Sequence, residues 1–393
     1  MKNSRLHFFN VDNFKAIRDS GALELGWLTV FVGNNGSGKS SLVEALETFR
    51  DVVIDGVDAA FRRWRGFEHV WNKAPNRNIV VKKGRRPALN NPMRFGFDLQ
   101  TSNGRLSGDQ GITQGPGGNS LFIQTETLRL GGKALGVSWV RDDAGKVESI
   151  GERSGSAGQF HGRRSDLSDG QSMIGEVARK AFEHWQFLML DPERMGQPVP
   201  QQRTAKNIRL AKDGSNVAEY LNEIRELNRV AFDGILEAVQ YVLPYAADLQ
   251  PTLTSELERS FYLNLKEESF EVPGWLLSSG TLRIVALLAV LRHPMPPPLL
   301  VIEEIENGLD PRTLQMVVNE IRAATESKRT QVILTTHSPA LLDLLPLSSI
   351  VMTQRTEKGV TFTRPAESKD VQRWAEDFSP GQLYLMNRLD AKE

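Results

Sequence analysis

Two runs of residues have the types and spacing to do chemistry. Residues 33–41 read GNNGSGKSS and satisfy G-x-x-x-x-G-K-[ST], with Gly33, Gly38, Lys39 and Ser40 in the fixed positions. A loop of this composition (Gly33, Asn34, Asn35, Gly36, Ser37, Gly38) can wrap closely around a phosphate chain with its N–H groups pointing inward. A helix beginning at Lys39, Ser40 and Ser41 would add the partial positive charge of its N-terminus. Lys39 is then placed to reach the β- and γ-phosphates of ATP, and the Ser40 hydroxyl to bind Mg²⁺. The second run, residues 299–311, reads LLVIEEIENGLDP. Four apolar residues lead into paired carboxylates, as when a central strand ends at a ligand site. Two adjacent carboxylates repel and are costly to bury without a cation. Mg²⁺ held together with phosphate would relieve that cost. Glu303 is assigned to the metal and Glu304 to the attacking water, as general base or orienter. The bland alternative is a solvated acidic turn.

The elements that must hold these residues are readable nearby. Residues 28–32 (LTVFV) form a short apolar, β-branched strand before the glycine loop. After it, Leu42, Val43, Leu46 and Phe49 share one face at helical spacing, with Glu44 and Glu47 off that face. Strands are expected at 6–11 and 23–25. An antiparallel meander is expected from 79–83, 93–100, 121–130, 134–141 and 146–150. The glycine-rich stretches 101–120 and 151–170 are expected as flexible loops. A strand at 187–190 stops at Asp191-Pro192. Residues 217–243 read as helical, with Val217, Tyr220, Leu221, Ile224 and Leu227 on one face. Beyond it come strands at 261–265, 299–302 and 332–335, helices at 282–291, 313–324 and 339–345, and an edge hairpin at 350–354 and 359–363. This alternation predicts an α/β fold with a largely parallel, doubly covered sheet.

The 393 residues carry a formal net charge of zero, 40% hydrophobic and 24% charged residues, and no cysteine. These are globular values that exclude disulfides and thiolate metal sites. The longest clean apolar run, 284–291, is far short of a membrane span, and no signal sequence opens the chain. A cytoplasmic location is the expectation.

The order of GNNGSGKSS, LSSGT (277–281), LLVIEEIENGLD and TTHSP (335–339) resembles the ABC-type ATPase head, and within it the SMC, RecF and OLD-like branch. The opening FFNVDNFKAIRD (8–19) is similar to the start of that branch. The resemblance covers residues 1–50 and 270–345. It implies a P-loop NTPase fold with a central mostly parallel sheet, an antiparallel β meander and a helical lobe. It implies one ATPase domain in two lobes, 1–190 plus 299–393 with a meander insertion at 55–150, and a signature lobe at 191–298. LSSGT looks like the signature loop, so Ser278 and Gly280 would touch the γ-phosphate of ATP held by a second copy. Taken alone, LSSGT also fits a plain helix cap. Residues 307–310 resemble the D-loop and His337 the switch histidine. Glu303 stands where such ATPases usually have Asp. Gln186 and Gln197 are both candidates for the glutamine loop. The resemblance further implies a homodimer or higher oligomer closing around ATP and Mg²⁺. It also implies a separate effector chain, a nuclease or toxin, as in the defence ATPases of Septu and PARIS. The alternative is an ATP-bound sensor or scaffold of low turnover that holds a toxic partner.

Residues 61–110 hold 11 Lys or Arg against 3 Asp or Glu. Arg62, Arg63, Arg65, Lys82, Lys83, Arg85 and Arg86 are interleaved with Phe61, Trp64, Phe67 and Trp71. Cations for phosphates with aromatics for stacking would suit nucleic acid such as DNA. A docking face for a partner protein and a plain solvated surface are the other readings.

Overall fold

The computed structural model describes residues 4–72, 91–102, 104–115, 120–131, 136–141, 147–152, 170–202, 207–255, 257–357 and 359–389. The expected strand 79–83, most of the expected loop 151–170, and Lys82, Lys83, Arg85 and Arg86 lie outside the described residues. The chain forms two compact units, Met1–Trp185 with Val351–Arg364, and Gln186–Ile350 with Pro365–Glu393.

The first unit is built on an eight-stranded antiparallel sheet. Arg5–Phe14 is flanked by Ile17–Asp19 on one side and Met93–Thr101 on the other, and Leu23–Glu24 also pairs with it. The meander continues through Gly104–Gln114, Leu121–Gly131, Gly136–Arg141 and Val147–Glu152. A separate strand, Leu28–Val32, lies beside Ile350–Thr356, which makes the expected hairpin with Gly359–Thr363. The helix after the glycine loop, Lys39–Asp55, is fastened to the meander by Phe49. That ring is fully buried, and its centroid lies 5.3 Å from Phe97, 5.5 Å from Phe182 and 5.9 Å from Phe95. Burying aromatic area of this size is the main attraction holding a helix to a sheet.

Two features of this unit were not expected. Residues 104–114, expected to lie in a flexible loop, form a long central strand. Its glycines let the neighbouring strand come close; a Cβ on Gly111 would lie 2.7 Å from Thr125 Oγ1. The helix Met173–Phe182 was not expected. Its start is satisfied by Glu126, a fully buried carboxylate that accepts from Ser172 Oγ (2.6 Å), Met173 N (2.8 Å) and Gln110 Nε2 (2.7 Å). Glu47, off the apolar face of its helix, is not left to solvent. It is buried against Arg63, 2.8 Å away.

Asp12 and Asp19 face each other across the first hairpin. Burial, then the Asp19 charge, pushes the Asp12 carboxyl up from 3.8 to about 6. The fold therefore favours the protonated acid. Stability is greatest below the unfolded value, falls as pH rises from about 4 to about 6, and stays lowered above that. Asp12→Asn should raise stability at pH 7 by roughly 1 kcal/mol, after discounting for solvent screening, and have no effect near pH 3. Chemical denaturation at both pH values would check this.

In the second unit, Gln186–Leu188, Leu299–Ile302 and Gln331–Thr336 pair in parallel, and the last two are entirely buried. Such apolar strands require cover on both faces. The helices Ser279–Leu291 and Pro311–Glu326 follow the pattern expected, and ten of the thirteen residues of the first are buried. Asp191-Pro192 does not merely stop a strand. Asp191 caps a short helix, Pro192–Met195. The section 217–243 is two helices, Val217–Leu227 and Arg229–Val242, split at Asn228, whose side chain accepts from Ala231 N. Leu227, expected on the buried face, is half exposed at that break. A small antiparallel sheet of Val199–Pro200, Ser260–Lys266, Asp248–Leu253 and Glu271–Pro273 completes the unit. No described helix is long and apolar enough to cross a membrane.

Candidate nucleotide site

The first unit holds the glycine loop. Gly38 caps the following helix at φ 113° with no side-chain hydrogen bond, and the first turn has no acidic residue. The helix N–H groups and dipole are thus left without a local anion, which suits a phosphate. Only glycine fits at 38, because its φ is left-handed and a Cβ would lie 2.6 Å from a Val360 methyl. Gly36 is also left-handed, at φ 77°. Lys39 is buried, and its ammonium donates to the carbonyls of Gly33 (2.6 Å) and Asn34 (3.1 Å). The loop carbonyls therefore aim the cation, while Asn34, Asn35, Gly36 and Ser40 remain exposed and Ser41 half-buried. Ser37 is buried, with an Oγ that has no protein partner.

The second unit holds the carboxylates. Glu303 is buried at the end of Leu299–Ile302, and its N–H donates to Leu188 O (2.9 Å). Glu304 takes φ 48°, a left-handed conformation unusual for a residue with a side chain. Such backbone costs on the order of 1–3 kcal/mol and persists only where the surroundings impose it. Here Thr335 Oγ1 accepts from Glu304 N (3.1 Å), and Asn307 Nδ2 donates to Glu304 Oε2 (2.6 Å). The turn re-aims the second carboxylate away from the strand direction. The acidic run is therefore not a plain solvated turn.

Ser278 is exposed and caps Ser279–Leu291, accepting from Thr281 N (3.1 Å). The cap reading of LSSGT is realised, and capping leaves the serine at the surface. The signature turn abuts residues 307–310, since a Cβ on Gly280 would lie 2.6 Å from Gly308 O. His337 follows Gln331–Thr336, with its side chain 44% exposed. The Gln186 amide donates to Leu210 O (2.8 Å) and Gln197 is exposed, so Gln186 has a structural bond and Gln197 does not show one.

Sequence reasoning passed over two residues. Arg283, on the signature helix, donates to Leu190 O (2.9 Å) and feels Asp191 and Glu304. Glu306 accepts from Thr336 Oγ1 and His337 N. Their signals were present, a cation one turn past the signature glycine and a third carboxylate in EEIE, but neither spacing specifies a partner.

The aromatics of 61–71 are used internally. Phe61 and Phe67 are buried with centroids 5.2 Å apart, and Trp64 lies under the Lys15 ammonium (3.8 Å) and Arg63 (4.7 Å). Phe61 and Phe67 are therefore not presented for stacking on bases, while Trp64 is half-buried.

A strand–glycine loop–helix in one unit, and a buried parallel strand ending in paired carboxylates in the other, define a P-loop ATPase of the ABC-like head class. The chain belongs to the family described as "AAA domain, putative AbiEii toxin, Type IV TA system", whose model matches residues 142–343. A second model, "AAA ATPase domain", matches residues 5–81. The fold is similar to that of the Smc head domain from Pyrococcus furiosus, solved with an extended coiled coil and bound to the C-terminal domain of ScpA. That match has a TM-score of 0.53 at 12% identity, covering 95% of this chain and 100% of that one. The SMC head domain from Thermotoga maritima matches at a TM-score of 0.42 and 12% identity, over 92% and 98% of the two chains. Comparison with curated proteins gave no match.

Proposed function

We propose that this ATPase is an Mg²⁺-dependent switch in which two copies close around ATP and hydrolysis releases them. The observation that carries the reading is the uncapped, acid-free start of Lys39–Asp55 beside the carbonyl-aimed Lys39. The residues assigned to the cation have the chemistry it takes. Ser40 offers a surface hydroxyl and Glu303 a carboxylate, both hard oxygen ligands, and Mg²⁺ is commonly shared between few protein oxygens and substrate phosphates. When bound, Mg²⁺ would neutralise charge on the phosphates.

The chain's own residues do the rest. The loop 33–38 and Lys39 hold the β- and γ-phosphates. Glu304, steadied by Asn307, orients the attacking water and accepts its proton. His337 meets the γ-phosphate. Ser278 and Gly280 of a second copy close the site with the N-terminus of the signature helix. ATP would favour the closed pair only by binding it more tightly than the open form. The two-lobe division of a single ATPase domain, a cytoplasmic location, and control of an effector on a separate chain belong to the same proposal.

Analytical ultracentrifugation with a non-hydrolysable ATP analogue and Mg²⁺ tests the switch. The wild type should shift to a dimer and Ser278→Arg should not. A wild type that stays monomeric at saturating analogue, or a Ser278→Arg variant that dimerises equally, would overturn the dimer.

A further inference from the structure

Glu306 is the unexplained carboxylate of the site. Its Oε1 accepts from Thr336 Oγ1 (2.7 Å) and His337 N (2.9 Å) and lies 3.3 Å from His337 Nδ1. Its Oε2 is buried with no partner among the described residues. Among the described residues, every polar contact of this side chain thus falls on one dipeptide and comes from a single oxygen. A carboxylate this close to Nδ1 tolerates a proton there and repels a lone pair. The identity of the protonated nitrogen in a histidine is set by what the other nitrogen meets.

We propose that Glu306 is a positioning residue that keeps the proton of His337 on Nδ1 and so presents Nε2 as the working atom of the ring. This rests on the reading that His337 meets the γ-phosphate. Nδ1 is the ring nitrogen that lies 3.3 Å from Glu306 Oε1, so Nε2 is the ring atom left to face outward from that contact. For Nε2 to donate to the phosphate anion, the ring takes up a proton from water as the anion binds, and the Glu306 carboxylate behind it offsets the added charge. The backbone N–H of His337 fixes which oxygen faces the ring, so the arrangement needs no mobile part. The same logic explains why the acid is Glu306 and not Glu304. Glu304 is turned away by its left-handed backbone and held by Asn307, whereas Glu306 is tied to the segment that follows the neighbouring strand.

The test uses the full chain labelled with ¹⁵N-histidine, nucleotide-free, in mildly alkaline buffer. The His337 ring signals are identified by their loss in His337→Gln. The wild type should show a protonated Nδ1 and a bare Nε2. Glu306→Ala should move the proton to Nε2, the form free imidazole prefers. Glu306→Gln should keep Nδ1–H, because the backbone N–H of His337 holds the amide oxygen toward the ring. In steady-state kinetics Glu306→Ala should lower kcat by about tenfold to a hundredfold with little change in KM for ATP. The Glu306→Ala/His337→Gln double variant should be no slower than His337→Gln alone. An unchanged tautomer in Glu306→Ala, or losses that multiply in the double variant, would overturn the proposal. A His337→Gln variant with wild-type turnover would instead sink the γ-phosphate reading, and the tautomer would still decide whether Glu306 sets the ring.

Discussion

Glu304→Gln is expected to lower ATP turnover by at least about a hundredfold while leaving ATP binding intact. The substitution keeps the size and the left-handed backbone at 304, so Thr335 and Asn307 should hold the amide where they held the acid. What is lost is the ability to accept a proton from water. Because binding survives and release depends on hydrolysis, the variant should accumulate as an ATP-bound dimer. Single-turnover phosphate release, read beside particle mass, gives both quantities at once. Wild-type release would show that Glu304 is not the base or orienter, and that its strained turn serves only the fold.

Lys39→Ala is expected to weaken ATP binding by about thirtyfold to a thousandfold, from the loss of charge-assisted contacts to two phosphates. The cation is already aimed by Gly33 and Asn34 before any ligand arrives, so little ordering is required on binding. The consequence is measurable as stability. ATP with Mg²⁺ should raise the melting temperature of the wild type by mass action and leave that of Lys39→Ala nearly unmoved. An equal rise in both proteins would place the phosphates elsewhere.

Much of this site was legible in the sequence because its signals are local. Residues 28–49 name strand, loop and helix within one stretch, and 299–304 does the same for the carboxylate strand. What was missed depends on distant partners. Gly104–Gln114 looks like a loop by composition, and becomes a strand because Met93–Thr101 and Leu121–Gly131 pair along both its edges. Met173–Phe182 has its N-terminus satisfied by Glu126, forty-odd positions away in the chain. In the run 61–71, the rings of Phe61 and Phe67 could be read as a stacking surface until they are found in the core. The burial of Glu47 off the apolar face becomes readable only once Arg63 is found against it. The chemistry of Glu306 likewise becomes readable only once Thr336 and His337 are beside it.

The most direct measurement mixes two inactive variants. In a pair formed by Lys39→Ala and Ser278→Arg, one composite site takes its phosphate loop from the serine variant and its signature turn from the lysine variant. That site carries no substitution. The account predicts that each variant alone is inactive and that the mixture regains ATP turnover, rising with the fraction of mixed pairs. A mixture as inactive as its parts, with mixed pairs shown to form, would contradict a triphosphate held between Lys39 of one copy and Ser278 of the other.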